Sequence, residues 1–263
     1  MNRQRICEDL TAIILTFNEQ ENIERTLKAL MWVPEVLLID SGSNDQTRTI
    51  ALSFPNVRIV ERVFDSFAEQ CNFALSQVGT EWALSLDADY RISATLSRTI
   101  MELKDDRSSA GFRVGFEYQI LGRSLRGSLY PPRTVLYRRT AASYVNEGHG
   151  HRVKVEGPVQ DLPGIIYHDD RKPLARWIAS QTKYAKLEAD HLLSADRKAL
   201  GFPDKIRLMA WPAPFLAGVY ALFAKGCILD GRAGWYYSLQ RVLAETLLAL
   251  ELLDRRLRQA AKD

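Results

Sequence analysis

A chain of 263 residues that is 46% apolar and 25% charged carries enough hydrophobic material for a substantial core, so global disorder is excluded. Its formal net charge of +3 is too small to argue for nucleic acid as a partner. Three widely spaced cysteines, Cys7, Cys71 and Cys227, give no disulfide framework or zinc motif and suit a reducing compartment.

The opening MNRQRICEDL lacks the apolar run of a secretory signal, and the expected location is the cytoplasm. Leu10 to Phe17 is a short apolar run that stops at polar Asn18, Glu19 and Gln20, the pattern of a buried parallel strand. The next helix is predicted to open on a capping box of Asn18 and Glu21, with Ile23, Leu27 and Leu30 as its apolar stripe. Val36 to Ile39 is the second strand, and it ends in the turn-rich run Asp40 to Asp45. A helix over Thr47 to Leu52, a strand at Val57 to Val60 and a helix from Ser66 to Gln77 follow. Trp82 to Leu86 then runs as a strand into Asp87-Ala88-Asp89.

This alternation argues for a parallel α/β sheet. Ligands of such sheets bind at the carboxyl ends of the strands. Asn18, Asp40 and Asp87 each follow a strand directly, so three polar strand ends share one edge. From Gly111 short β-like pieces appear at Phe112 to Tyr118, Thr134 to Tyr137, Arg152 to Val155 and Ile165 to Tyr167, and are expected to extend the sheet. A long helix is predicted from Leu174 to Ser194. Leu208 to Ala224 is strongly apolar but is interrupted by Pro212 and Pro214, which suits an interfacial or re-entrant segment better than a spanning one. Trp235 to Leu253 is a second amphipathic helix ending in Arg255, Arg256 and Arg258; the alternative is that both pack on the core.

The strongest local feature is Asp87-Ala88-Asp89. Two carboxylates after a buried strand can hold a hard divalent cation, Mg2+ or Mn2+, which shares its shell with phosphate oxygens. Asp40, at a strand end, is placed to accept hydrogen bonds from a base or ribose, whereas Asp45 suits an Asx turn. Glu19 also lies where a helix dipole favours an acid. His149 and His151 would face one side of a strand, but no third His or Cys stands near them for zinc. Arg133, Arg138 and Arg139 are candidates for pyrophosphate or an anionic acceptor, or are merely solvated.

Together, Thr16-Phe17-Asn18-Glu19, Asp40-Ser41-Gly42-Ser43-Asn44-Asp45 and Asp87-Ala88-Asp89 resemble family-2 glycosyltransferases of the GT-A fold. SFAEQCNFAL (Ser66 to Leu75), Tyr130-Pro131, Leu136 to Arg139 and VKVEGPV (Val153 to Val159) resemble the branch that includes lipopolysaccharide-core β-glucosyltransferases. The sequence departs from that branch at Cys71, where Arg is expected, at Pro132, where Asp is common, and at His149-Gly150-His151.

The resemblance implies a GT-A (Rossmann-like) α/β domain over residues 1–195 and a helical, membrane-associating extension over residues 196–263. It implies an inverting transfer from a nucleotide sugar, UDP being the expected nucleotide, to a glycolipid or lipid-linked glycan at the inner face of the cell membrane. The nucleotide would meet Thr16, Phe17, Asn18, Glu19, Asp40, Ser41, Gln70 and Asp87, with the metal at Asp89 and His168. Glu147 is the expected base, with Asp87 and His149 beside it in the catalytic set. Arg133, Arg138 and His151 would touch phosphate or acceptor. Two rivals remain open on the sequence alone: a sugar-1-phosphate nucleotidyltransferase, although Thr16 to Ile23 has no glycine for a phosphate loop, and a non-catalytic sugar-nucleotide binding module.

Overall fold

The computed structural model describes residues 4–127, 130–147, 150–196, 198 and 200–262, without the side chains at 147, 150 and 151. Two compact units are formed, one by Met1–Gly122 with Leu129–Arg171, the other by Arg123–Ser128 with Lys172–Asp263. The expected boundary at residue 195 falls inside the second of them.

The first unit is built on β1 (Leu10–Thr16), β2 (Glu35–Asp40), β3 (Val57–Glu61), β4 (Trp82–Asp87), β5 (Tyr90–Ile92), β6 (Gly111–Ile120), β8 (Arg133–Arg138) and β11 (Val159–His168). Their spatial order is β3-β2-β1-β4-β8-β6-β11-β5. The pairs β1–β2, β1–β4 and β2–β3 are parallel, whereas β8 runs antiparallel to both β4 and β6. Strands β1, β2 and β4 are buried along almost their whole length, as strands with both faces covered should be.

The order forces the sheet to curl. Strands β4 and β5 stand four steps apart, which is roughly 19 Å in a flat sheet at about 4.8 Å per step. Yet the chain passes from Asp87 to Tyr90 in three residues, a reach of about 11 Å at most. The two ends of the strand order therefore fold toward each other, and Tyr90 pairs with His168 of β11. A register break between Asp161 and Ile165 helps β11 to bend. Within it Gly164 has φ +111°, and a Cβ there would lie 2.7 Å from the backbone of Leu96, so only glycine lets β11 approach so closely.

Helices α1 (Ile23–Ala29), α2 (Thr47–Leu52), α3 (Phe67–Ser76) and α4 (Ala94–Glu102) cover the sheet. Ile23, Leu27 and Leu30 lie in the core as expected, but the Asn18–Glu21 capping box does not form. Asn18 takes a left-handed backbone, φ 56°, and its Oδ1 accepts from the Asn44 N–H at 2.8 Å, so it belongs to the loop below the helix. Helix α3 has the cap its sequence promises, Ser66 accepting from the Glu69 N–H. Arg152 to Val155 does not extend the main sheet: β10 (Gly150–Val155) pairs only with β9 (Ala142–Glu147), as a hairpin beside α3.

The second unit holds the two-residue strand β7 (Arg123–Ser124) and α5 (Leu174–Ser194), α6 (Phe202–Leu208), α7 (Pro212–Val219) and α8 (Gly231–Ala260). Ala185, Ala189 and Leu192 of α5 pack with Leu248 and Leu252 of α8 as a separate small core. Among the described residues no single helix is long and apolar enough to cross a membrane. The broken pair Pro212–Ala224 and Cys227–Ala260, bent by 71°, has the length and composition to do so together. Trp211, Phe215, Val219 and Phe223, four residues apart in succession, are each more than half exposed.

Candidate active site

The carboxyl ends of β1 and β2 form a stapled double loop. The Ser41 N–H donates to the Thr16 carbonyl at 2.9 Å, and the Asn18 N–H to Ser43 Oγ at 2.8 Å. The Glu19 N–H donates to Thr47 Oγ1 at 2.6 Å, and Asp45 accepts from the Thr47 N–H at 2.9 Å, so Asp45 serves the turn. Asp40 is buried at the end of β2, where its carboxylate accepts the Ser43 N–H at 2.8 and 3.2 Å. A carboxylate has about four lone-pair sites, so acceptor capacity remains. Phe17 beside it leaves 53% of its surface open, an exposed aromatic face next to buried acceptors. Gln70 is fully buried; its Nε2 donates to Ser41 Oγ at 3.0 Å and the Arg62 carbonyl at 3.1 Å. It braces the loop through Ser41.

Strand β4 delivers Asp87 to the same edge, and the curl brings His168 onto Asp89. Asp89 Oδ2 and His168 Nε2 lie 3.2 Å apart, both largely buried. The imidazole is ringed by Tyr118, Tyr130 and Tyr90, with centroids at 4.6, 4.8 and 5.2 Å. Burial acts to lower the His168 pKa, but Asp89, then Asp87 and Asp170, overcome it and raise the value above 6.5. Its Nδ1 is buried without a hydrogen-bond partner. Tyr130 is pushed up to about 12 by burial, with Asp87 adding to the shift. The Arg133 guanidinium lies over the Tyr130 ring at 4.5 Å.

A buried ion cluster beneath this pair has no signal in the sequence. Asp169 is 1% exposed and is held by Arg25 and Arg171, each at 2.9 Å. Asn22, also fully buried, donates to Glu19 at 3.0 Å and Asp170 at 2.9 Å, and its Oδ1 accepts from Arg25 at 2.7 Å. Thr26 Oγ1 donates to the carbonyl of Ala88 at 2.7 Å. Arg25 and Asp169, Asn22 and Asp170, and Thr26 and Ala88 are far apart in the chain, and only the fold pairs them.

Arg138 is not brought to this edge. Because β8 is antiparallel to β4, Arg138 pairs with Trp82 at the start of β4 while Arg133 starts β8 near the end of β4. Arg138 stacks on Trp82 at 4.5 Å and forms ion pairs with Glu81 and Asp105, a structural setting. Glu147 ends β9 and His151 lies in β10, their side chains outside the described part, and His149 is outside the described residues altogether. Cys71 is buried against Tyr137 and Tyr144 in the core behind α3, away from solvent.

A model of glycosyl transferase family 2 matches residues 11–152, more than half of the chain. The chain belongs to that family and is a glycosyltransferase, with a mixed α/β fold whose central sheet is curled. It is 25% identical to the lipopolysaccharide core biosynthesis glycosyltransferase LpsC of Rhizobium meliloti over 264 residues, covering 94% of this chain and 92% of that one. It is 24% identical over 225 residues to an uncharacterized glycosyltransferase of Rickettsia bellii, covering 78% and 74%. A crystal structure of S. aureus TarS 1-349 with UDP-GlcNAc overlaps 96% of this chain and 92% of that one, with a TM-score of 0.48 and 17% identity.

Proposed function

We propose that this glycosyltransferase moves a sugar, with inversion, from a UDP-sugar to a lipid-linked or lipopolysaccharide glycan, and that it uses Mg2+ or Mn2+. The carrying observation is the Asp89–His168 pair at the strand edge that also holds Asp40 and Asp87. One carboxylate oxygen and one imidazole nitrogen form an O/N donor set that suits Mn2+ better than Mg2+, which prefers oxygen throughout. Such ions are commonly bound by one or two protein groups, with water and substrate phosphates completing the shell. Among the described residues no group of three or more His, Cys, Asp or Glu is placed to hold a metal ion, and two protein donors fit that mode. When bound, the ion would offset the negative charge gathering on the departing diphosphate.

This chain's residues supply the rest. Phe17 offers its open face to the uracil, Asp40 and Glu19 accept from base and ribose, and Asp87 faces ribose or sugar. The acceptor hydroxyl attacks the anomeric carbon as the bond to the diphosphate oxygen breaks. Its proton passes to a carboxylate, for which Glu147 is the candidate, and UDP leaves. Arg133 adds positive charge at this edge.

The acceptor class is supported by the name of the Rhizobium relative. A membrane-surface location is supported by the second unit, which has 17 Lys and Arg against 9 Asp and Glu, net +8, while the first has 18 against 23, net −5. A cationic unit with an exposed aromatic stripe suits the anionic inner face of a membrane. The W211E/F215E variant should then stop floating with anionic vesicles while still binding nucleotide; flotation equal to wild type rules out this stripe as the contact.

The test of the chemistry is incubation with a panel of nucleotide sugars and Mn2+ or Mg2+, following thermal stabilisation and release of nucleoside diphosphate, with Asp89→Ala alongside. Metal-dependent binding that vanishes in Asp89→Ala is the expected result. A folded protein that binds no nucleotide sugar with either metal refutes the reading.

A further inference from the structure

Asp89 lies in the turn between β4 and β5 and His168 ends β11, 79 residues apart in the chain, so no single element fixes their distance. What spans them is one edge of α1 with its cap residue. Thr26 Oγ1 holds the Ala88 carbonyl at 2.7 Å, both residues being buried, and so pins the peptide between Asp87 and Asp89. One residue earlier, Arg25 reaches the other side. Its Nη1 donates to Asp169 Oδ2 and its Nη2 to the Asp169 carbonyl, each at 2.9 Å, which fixes the residue after His168 at side chain and backbone together. Arg171 closes on the same carboxylate oxygen at 2.9 Å. The Asp169 N–H then donates to the Asp89 carbonyl at 3.3 Å, which joins the two held segments. Asn22 completes the set, receiving the Arg25 Nη2 and Arg171 N–H on its Oδ1 while its Nδ2 holds the Glu19 carboxylate.

Apart from the Glu19 carboxylate, these contacts involve none of the side-chain groups proposed to meet substrate. Burying a guanidinium and a carboxylate contributes little net stability by itself, because desolvation offsets the attraction. Preset geometry is what such a cluster can add. We propose that Asn22, Arg25 and Thr26 act as a positioning clamp, which sets the separation of Asp89 and His168 and the aim of Glu19 before any ligand arrives. The proposal rests on the reading that Asp89 and His168 hold a divalent cation.

The experiment measures Mn2+ affinity in the presence of UDP, by electron paramagnetic resonance, on the full chain. Wild type is compared with Thr26→Val, which removes the donor, and Thr26→Ser, which restores it. Arg25→Lys is the second variant; it keeps the charge but loses the two-pronged grip on Asp169. Melting temperature and the separate kcat and acceptor KM are read on the same samples. Loss of a group that orients a metal ligand typically weakens affinity about 10–100-fold, and that loss is expected in Thr26→Val and Arg25→Lys, with Thr26→Ser near wild type. Acceptor KM should stay unchanged while kcat falls. If both variants fold and hold Mn2+ as wild type does, or if only their melting temperatures fall, the cluster is structural and the clamp is refuted. If wild type itself holds no Mn2+ with UDP, the metal reading fails and takes the clamp with it, which the control shows separately.

Discussion

The two ends of β4, a strand of six residues, hold charge in opposite ways. At the start of the strand, charges are matched: Arg138 meets Glu81 and Asp105, Arg58 meets Glu35 at 2.7 Å, and Thr11 donates to the same Glu35. At its end, Asp87 and Asp89 share an edge with Asp40 and Glu19, all of one sign. Repulsion there is relieved by backbone N–H groups, by His168 and, in the proposed reading, by a divalent cation. The matched edge stabilises the sheet. The mismatched edge has acceptor atoms whose best partner is a ligand.

Removing Asp89 should break the contrast most. Asp89→Ala is expected to lower kcat by roughly 10²–10³-fold, the scale seen when an electrostatic stabiliser of a leaving group is lost. At a pH above the folded His168 value, where the ion pair with Asp89 no longer contributes, its melting temperature should hold or rise, because a like charge has gone; nucleotide release and thermal melts decide it. A large fall in melting temperature with activity kept would reverse the roles of the two edges.

Arg138→Met tests the opposite edge. It strands the Asp105 carboxylate, which is mostly buried, and should cost about 2 kcal/mol of stability by urea unfolding while leaving kcat unchanged. Burial works to raise the Asp105 pKa, but the bonds from Arg138, the Arg107 N–H and Trp82 together outweigh it and hold the value below 3.8. Its stabilisation is therefore present above pH 3.8 and is lost as the pH falls through the depressed folded value. Arg138→Met should lose that acid-side slope.

His168 sharpens the contrast through pH. In metal-free protein its folded pKa lies above the unfolded 6.5, so the stabilisation is complete below pH 6.5 and is lost as pH rises through the folded value. Melting temperatures of chelated protein from pH 6 to 9 should show this decline. Asp89→Asn should flatten it, and a slope unchanged by that variant would deny the pair its role.

The smallest effect is expected from Arg133→Ala, at the substrate edge but exposed. It should weaken nucleotide-sugar binding only a few-fold, consistent with about 0.5–1 kcal/mol for an exposed cationic contact. Arg138 on the same strand should leave that affinity untouched.

Much of this organisation was legible in the sequence. The apolar runs at β1, β2 and β4 are local patterns, and each ends at or just before a polar residue, so Asn18, Asp40 and Asp87 announced one edge. Helices α2 and α5 also have the bounds their patterns gave, Thr47–Leu52 and Leu174–Ser194. Family motifs placed Asp89 and His168 on one candidate list without bringing them together.

Tertiary structure decided what local pattern cannot encode. A strand's direction is absent from its hydrophobicity, so nothing separated Arg133 from Arg138, which the antiparallel course of β8 sends to opposite edges. The capping box failed because a loop-to-loop hydrogen bond to Asn44 took the Asn18 side chain. The curl that seats His168 on Asp89 follows from strand order and from Gly164, and the Asn22–Arg25–Asp169 cluster joins residues about 145 apart. Sequence determines such contacts only through the whole fold, since each is a closure whose partners have no periodicity in common.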